Sequence, residues 1–282
     1  MQLEIQPRKI LKIICTDSAG LLAKLTNIFY NHQLNIVNNR EFVDHTTSLF
    51  FMRTELEGVC DNQIFLKDLD TILPKGSQRE LHFLKRYKIV ILVSQESHCL
   101  GDLLIQSTYG ELDVDIAAVI GSHEKLRNLA ESFDIPFVFL SPKGCTRLDQ
   151  DNNIASSIDV YQPDYIVLAK YMRILTPEFV YRYPNKIINI HHSCLPAFIG
   201  ARPYHQAYER GVKMIGATAH YVNHKLDAGP IIMQDMMHID HSYVVADMIR
   251  AGRDIEKNVL SRALHLVLTQ RVFIHGNRTI LL

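Results

Sequence analysis

Ile187-Ile188-Asn189-Ile190-His191-His192-Ser193-Cys194-Leu195-Pro196 is the stretch on which the reading of this chain turns. The apolar run from Ile187 to Ile190 is too short for a helix and follows Pro184, so it predicts a buried strand of a parallel sheet. An amide, two imidazoles and a hydroxyl crowd that strand's end, at Asn189, His191, His192 and Ser193. Open α/β sheets bind their ligands beyond the carboxyl ends of the strands, so polar groups gathered there stand where chemistry is done. A second polar cluster follows. His220 ends another strand-like run, and Asp227 lies in the next loop, just before Gly229-Pro230.

Outward from this stretch, strands and helices alternate. Lys88 to Val93, Ile116 to Ile120, Phe137 to Leu140 and Ile166 to Ala169 read as strands; Cys99 to Tyr109 and Glu124 to Phe133 read as helices. Val244 to Leu268 reads as a long amphipathic helix with Arg253, Glu256 and Lys257 on its polar side. The pattern predicts a doubly wound, mostly parallel sheet. Upstream the period changes. Arg8 to Thr16 alternate apolar and charged residues, Asp17 is the expected N-cap of a helix carrying Leu21, Leu25 and Ile28, and two strands follow, Asn35 to Phe42 and Ser48 to Leu56. A helix from Asp61 to Leu73 and a strand from Arg79 to Leu84 complete the ferredoxin-like βαββαβ order. Lys85-Arg86 reads as the junction, giving domains over residues 1–86 and 87–282.

Composition narrows the partners. Lys plus Arg and Asp plus Glu balance at 30 each, which gives no basic footprint for nucleic acid or an acidic membrane surface. No apolar run approaches the roughly 20 residues of a membrane span, and Met1 to Ile5 lack a signal-peptide pattern. The five cysteines are odd in number, widely spaced and without a C-x-x-C pair, so reduced thiols in the cytoplasm are expected. The first βα turn, Ser94 to Gly101, has neither G-x-G-x-x-G nor G-x-x-x-x-G-K, and Glu96 within it repels anions; dinucleotide and phosphate-loop readings lose ground.

Asn189, His191 and Asp227 form a coherent set if they converge. An amide N–H and an imidazole both donate to an oxygen that gains charge in a tetrahedral intermediate. A carboxylate accepts a proton from water or holds the imidazole protonated. Together they suit attack on a carbonyl without a covalent nucleophile. Cys194 beside Leu195-Pro196 reads as a buried filler rather than a nucleophile. No metal is expected: adjacent His191 and His192 on an extended segment point to opposite faces, and zinc-site spacings are absent.

Asn189-Ile190-His191-x-Ser193-x-Leu195-Pro196 resembles the signature of the folate-dependent formyltransferases. Gly216-Ala217-Thr218-Ala219-His220 through Asp227-Ala228-Gly229-Pro230 resembles its second half, and Tyr171-Met172-Arg173-Ile174-Leu175 resembles the segment lining the pterin pocket. Asp17-x-x-Gly20 within the βαββαβ order resembles an ACT domain. His98-Cys99-Leu100-x-Asp102, Gly200-Ala201-x-Pro203-Tyr204 and Gly252-Arg253-Asp254-x-Glu256 are similar to the branch that joins such a domain to the formyltransferase fold and hydrolyses its substrate. The resemblance therefore implies hydrolysis of 10-formyltetrahydrofolate to formate and tetrahydrofolate, supplying purine synthesis and balancing one-carbon pools, with the folate as substrate and no separate cofactor. It implies Asp227 as the base or water-orienting carboxylate, Asn189 and His191 on the formyl oxygen, and His220 supporting the Asp227 loop. Met172, Arg173, Ile174, Leu175, Val222, Asn223 and Leu226 are the implied pterin contacts, with His192 and Ser193 beside them. His192 departs from the ribonucleotide transferase, where proline is usual, and raises the expectation that it holds water. At the other end of the chain, the resemblance implies amino-acid effectors such as methionine or glycine at Asp17 and Gly20, at an interface between subunits of a homo-oligomer. The nearest alternative is formyl transfer to an amine by a glycinamide ribonucleotide formyltransferase, which needs a phosphate cradle that the Ser94–Gly101 turn lacks.

Overall fold

The computed structural model describes residues 7–197 and 203–282; the Met1 to Ile5 stretch and the Gly200-Ala201 motif lie outside the described residues. The chain divides into two compact units. One runs to Lys85 and takes in Gln270–Phe273 and Ile280–Leu282; the other holds Arg86–Thr269 and Ile274–Thr279.

In the first unit, β1 (Arg8–Thr16), α1 (Leu21–Asn31), β2 (Asn35–Asp44), β3 (Leu49–Glu57), α2 (Asn62–Ile72) and β4 (Gln78–Phe83) follow in the order βαββαβ. The sheet order is β2-β3-β1-β4, and every neighbouring pair is antiparallel. Alternation along β1 sends Leu11, Ile13 and Cys15 to one face, where they pack with Leu25 and Phe29 of α1 and Phe65 and Leu69 of α2. Asp61 caps α2, its carboxylate accepting from the Gln63 and Ile64 amides at 2.8 and 3.1 Å. Asp17 does not cap α1. The helix starts after Gly20, which takes the N-cap position with a φ of 77° and no side-chain cap, while the Asp17 amide bonds the Ser48 carbonyl.

The second unit opens with β5 (Tyr87–Val93), α3 (His98–Thr108), β6 (Val114–Gly121), α4 (Arg127–Glu131) and β7 (Phe137–Phe139). It continues through α5 (Arg147–Tyr161), β8 (Tyr165–Ala169), α6 (Pro177–Arg182), β9 (Ile187–His191) and α7 (Pro203–Glu209). It then passes through β10 (Met214–Tyr221), β11 (Ile231–His238) and α8 (Val245–Leu268); the closing strands β12 (Val272–His275) and β13 (Arg278–Leu281) pair as a separate two-stranded sheet whose residues are divided between the two units. The sheet order is β11-β10-β9-β8-β5-β6-β7, parallel from β9 to β7 and antiparallel where β10 and β11 extend it. β5 is a run of fully buried aliphatics from Ile89 to Val93, as a strand covered on both faces requires. The segment Glu124 to Phe133 is not one helix. A 3-10 turn at Glu124–Leu126 leads into α4, which closes when Asp134 adopts a left-handed φ of 59° and the Ile135 amide bonds the Ala130 carbonyl. Glu256 is not on the polar side of α8: it is 1% exposed, on the stripe that carries Gly252, Val259 and Leu260 inward.

Candidate active site

Strand pairing builds the first half of the site. β9 and β10 run antiparallel with Asn189 opposite His220, so the two side chains share a face. Asn189 Nδ2 and His220 Nε2 are 3.1 Å apart, and His220 Nδ1 is 2.8 Å from the Tyr221 carbonyl. A carbonyl only accepts, so Nδ1 carries the proton and Nε2 accepts from the Asn189 amide. Burial depresses the His220 pKa, which keeps this neutral tautomer in place. One imidazole thereby fixes which way the Asn189 amide faces.

The loop between β10 and β11 brings the carboxylate. Gly229 packs against the Tyr221 carbonyl so tightly that a Cβ there would collide with it. Asn223 ties the turn, accepting from the Lys225 amide at 3.0 Å and donating to the Ala228 carbonyl at 3.3 Å. Asp227, at a left-handed φ of 51°, then places Oδ2 3.4 Å from His191 Nδ1 and Oδ1 3.9 Å from His220 Nε2. Burial pushes the Asp227 carboxyl up, but the His191 hydrogen bond and the charges of the surrounding imidazoles outweigh it and hold its pKa below the ordinary value. His191 Nε2 is buried and has no hydrogen-bond partner among the described residues. A buried polar nitrogen left in that state is costly unless something docks on it.

These groups face a cavity of about 290 Å³. Asn189, His191, His220 and Asp227 line it, as do Met172, Arg173, Ile174, Leu175, His192, Val222, Asn223 and Leu226. Met172 and Leu226 are 60% and 53% exposed, apolar surface available to a flat ligand. The backbone holds the Met172 end in place, because the Met172 amide donates to Ser94 Oγ at 2.9 Å. Ser193 is outside the lining: its hydroxyl donates to the Ala197 carbonyl at 2.7 Å and its carbonyl accepts from Thr218 Oγ1, so it shapes the loop instead. Cys194 is half-buried and burial raises its thiol pKa, the opposite of an activated nucleophile.

Among the neighbours, Tyr171 belongs to the segment that resembles a pterin-pocket lining and His192 was expected at the site, whereas Lys170 and Glu256 were not. Lys170 and Tyr171 line the cavity, and the Tyr171 hydroxyl is buried without a partner among the described residues. The rule that ligands sit beyond strand ends points to both, because they follow Ala169, the last residue of β8. His192 stacks on His191 with ring centroids 5.0 Å apart, and burial, reinforced by the Lys170 and His191 charges, drops its pKa to about 4. His98, Cys99 and Glu256 bring possible ligand atoms within 4.8 Å of one another. The Glu256 carboxylate there already bonds the Lys170 ammonium and the Tyr204 hydroxyl, an ion-pair arrangement that leaves a metal no free carboxylate.

The formyl transferase family model matches residues 87–264. The chain is 68% identical over 275 residues to formyltetrahydrofolate deformylase of Escherichia coli strain K12, covering 98% of both chains. The crystal structure of a formyltetrahydrofolate deformylase from Pseudomonas syringae superposes with a TM-score of 0.93 at 38% identity, covering 99% of this chain and 96% of that one. Glycinamide ribonucleotide transformylase 1 from Symbiobacterium toebii superposes with a TM-score of 0.68 at 30% identity, covering 72% of this chain and 98% of that one.

Proposed function

The chain belongs to the formyl transferase family, among its formyltetrahydrofolate deformylases, and on that premise we propose that it hydrolyses 10-formyltetrahydrofolate to formate and tetrahydrofolate. The observation that carries the reading is the convergence of Asn189, His191 and Asp227 on one cavity, with His191 Nε2 buried and unpartnered among the described residues. Asn189 and His191, the latter with Nδ1 turned to Asp227, donate to the formyl oxygen as it gains charge. Asp227 takes a proton from the attacking water. The water oxygen bonds the formyl carbon, the C–N10 bond breaks as Asp227 returns its proton to N10, and formate departs, the remaining hydroxyl proton passing to solvent. Met172 to Leu175 and Val222 to Leu226 supply the walls for the pterin, and the Tyr171 hydroxyl is a further polar partner for it.

Formate release from 10-formyltetrahydrofolate with no amine present tests the proposal. A hydrolase turns over unaided. A transferase stays slow until glycinamide ribonucleotide is added. The transferase reading is disfavoured because the Ser94–Gly101 turn offers no glycine cradle for a phosphate.

The βαββαβ order of the first unit supports its assignment as an ACT module, with Asp17 and Gly20 near an amino-acid effector at an interface of a homo-oligomer. Titration calorimetry with methionine and glycine checks this: heat and a change in rate are expected, and silence from both would remove the effector role. Five cysteines without a disulfide support a reducing, cytoplasmic setting, and no described helix is long and apolar enough to cross a membrane. In that setting the released formate feeds purine synthesis and one-carbon balance.

A further inference from the structure

Strand order creates a second place where a ligand is expected. From β5 the chain moves to β6 and β7 on one side, then returns to β8 and β9 on the other. The crevice at the carboxyl ends of β5 and β8 is therefore the switch point of the sheet, where open α/β sheets bind ligands. Val93 and Ala169 pair there, and each leads directly out of its strand, into the turn from Ser94 to Ser97 before α3 on one side and into Lys170 on the other.

In this protein the crevice is filled by side chains. Glu256 reaches in from α8 and is 1% exposed. Its Oε2 is 2.6 Å from His98 Nε2 and 3.2 Å from Lys170 Nζ, and its Oε1 accepts from the Tyr204 hydroxyl at 2.9 Å. Glu96 closes the outer side, 4.0 Å from Lys170 Nζ and 3.2 Å from Arg253 Nε. Gly252 leaves room for this: a Cβ there would collide with the Tyr204 hydroxyl. Towards the active site, Lys170 and His192 form the cavity wall, and the Tyr204 ring backs His192 at 6.1 Å between centroids. Lys170, Glu256 and Tyr204 together stand behind His192, so a bulkier acceptor entering on that side would have to displace one of them, and separating the buried ion pair is strongly unfavourable.

We infer that the Lys170–Glu256–Tyr204 wall behind His192 is a specificity determinant that restricts the acceptor of the formyl group to water. The inference rests on the hydrolase reading above. With water, the formyl carbon gains an oxygen and leaves as formate. With hydroxylamine, the carbon would gain nitrogen and leave as formylhydroxamate, N10 taking the proton in both cases.

The experiment supplies full-length enzyme with 10-formyltetrahydrofolate and increasing hydroxylamine, and measures formate and formylhydroxamate together. Wild-type should give formate at every concentration. Lys170→Ala with Glu256→Ala should raise the hydroxamate-to-formate ratio by about tenfold or more, within the range by which pocket size separates related substrates. Lys170→Met with Glu256→Gln keeps the bulk and should keep the wild-type ratio. An alanine pair that is folded by circular dichroism but unchanged in ratio overturns the inference, as does an equal rise in the Met/Gln pair. If the alanine pair does not fold, Tyr204→Ala, which leaves the ion pair in place, carries the same expectation and the same refutation. A wild-type enzyme that releases no formate would instead refute the hydrolase reading.

Discussion

Two buried polar clusters meet at His192, and they differ in how completely they are satisfied. On one side, Asn189, His191, His220 and Asp227 open onto a cavity, and His191 Nε2 has no partner among the described residues. On the other, the Glu256 carboxylate is shared by His98, Lys170 and Tyr204. The first cluster carries an unmet hydrogen bond, which a substrate oxygen can complete. The second has its ionised carboxylate fully partnered and works as a wall. Buried charge alone does not distinguish a reactive site from a structural one here; the distribution of unsatisfied groups does.

The comparison is broken most severely at Asp227. Asp227→Asn keeps the shape but removes the proton acceptor, and formate release should fall by ~100-fold or more. A variant with near-wild-type turnover would remove Asp227 from its role. The fall in rate that belongs to protonation of Asp227 should come at lower pH than for an ordinary carboxyl, read from the acid limb of the rate profile. Because the folded-state pKa of Asp227 is depressed, the carboxylate persists further as pH falls than that of a free aspartate. The next effect belongs to His220, which lines the cavity and holds the Asn189 amide in place. His220→Ala frees the amide to turn, and a misplaced donor of this kind costs up to about 100-fold. The loss should appear in kcat with KM little changed, since the pterin walls are untouched.

How far these roles could be read from the chain follows the same division. The βαββαβ order, the parallel strands and the trio Asn189, His191 and Asp227 were legible because period-2 and buried-run patterns, strand ends and motif spacing are local signals. Asp17 misled because a carboxylate before an apolar helix face reads as a cap, while Gly20 takes that position through its backbone. Ser193 misled because its polar type says nothing of the loop carbonyl that holds its hydroxyl. Glu256 was hidden for a different reason. Its neighbours Arg253 and Lys257 make a polar stripe plausible, and only packing brings it against His98 and Lys170, 158 and 86 residues away in the chain. An acid four residues after buried Gly252 and three before buried Val259 was the available signal.

The wall can be sharpened by acid. Glu256 has its pKa held at about 2: burial pushes the carboxyl up, and the His98 hydrogen bond with the Lys170 charge more than reverses that. A carboxyl depressed on folding stabilises the protein above its unfolded pKa, and that stability is lost as pH falls towards the folded value. The window is thus from about pH 4.3 down to about 2, and the contribution is roughly 3 kcal/mol. Melting curves of wild-type and Glu256→Gln across that range should converge as the wild-type carboxyl protonates. Parallel curves would mean that Glu256 is not the ionised centre of the wall.

The smallest effect is expected where the two clusters give way to ordinary packing. Cys194 lies just beyond β9, with its Cβ 3.4 Å from where a Cβ on Gly216 would stand. A thiol acting as nucleophile needs a lowered pKa, and burial here raises it. The water that attacks the formyl carbon needs no covalent carrier if Asn189, His191 and Asp227 do their part. Cys194→Ala should therefore leave formate release essentially unchanged, and alkylation of the wild-type thiol should inhibit only through bulk. A collapse of turnover in Cys194→Ala, with the fold intact, would move the chemistry from an activated water to an acyl-enzyme and take the first cluster's open hydrogen bond out of its assigned place.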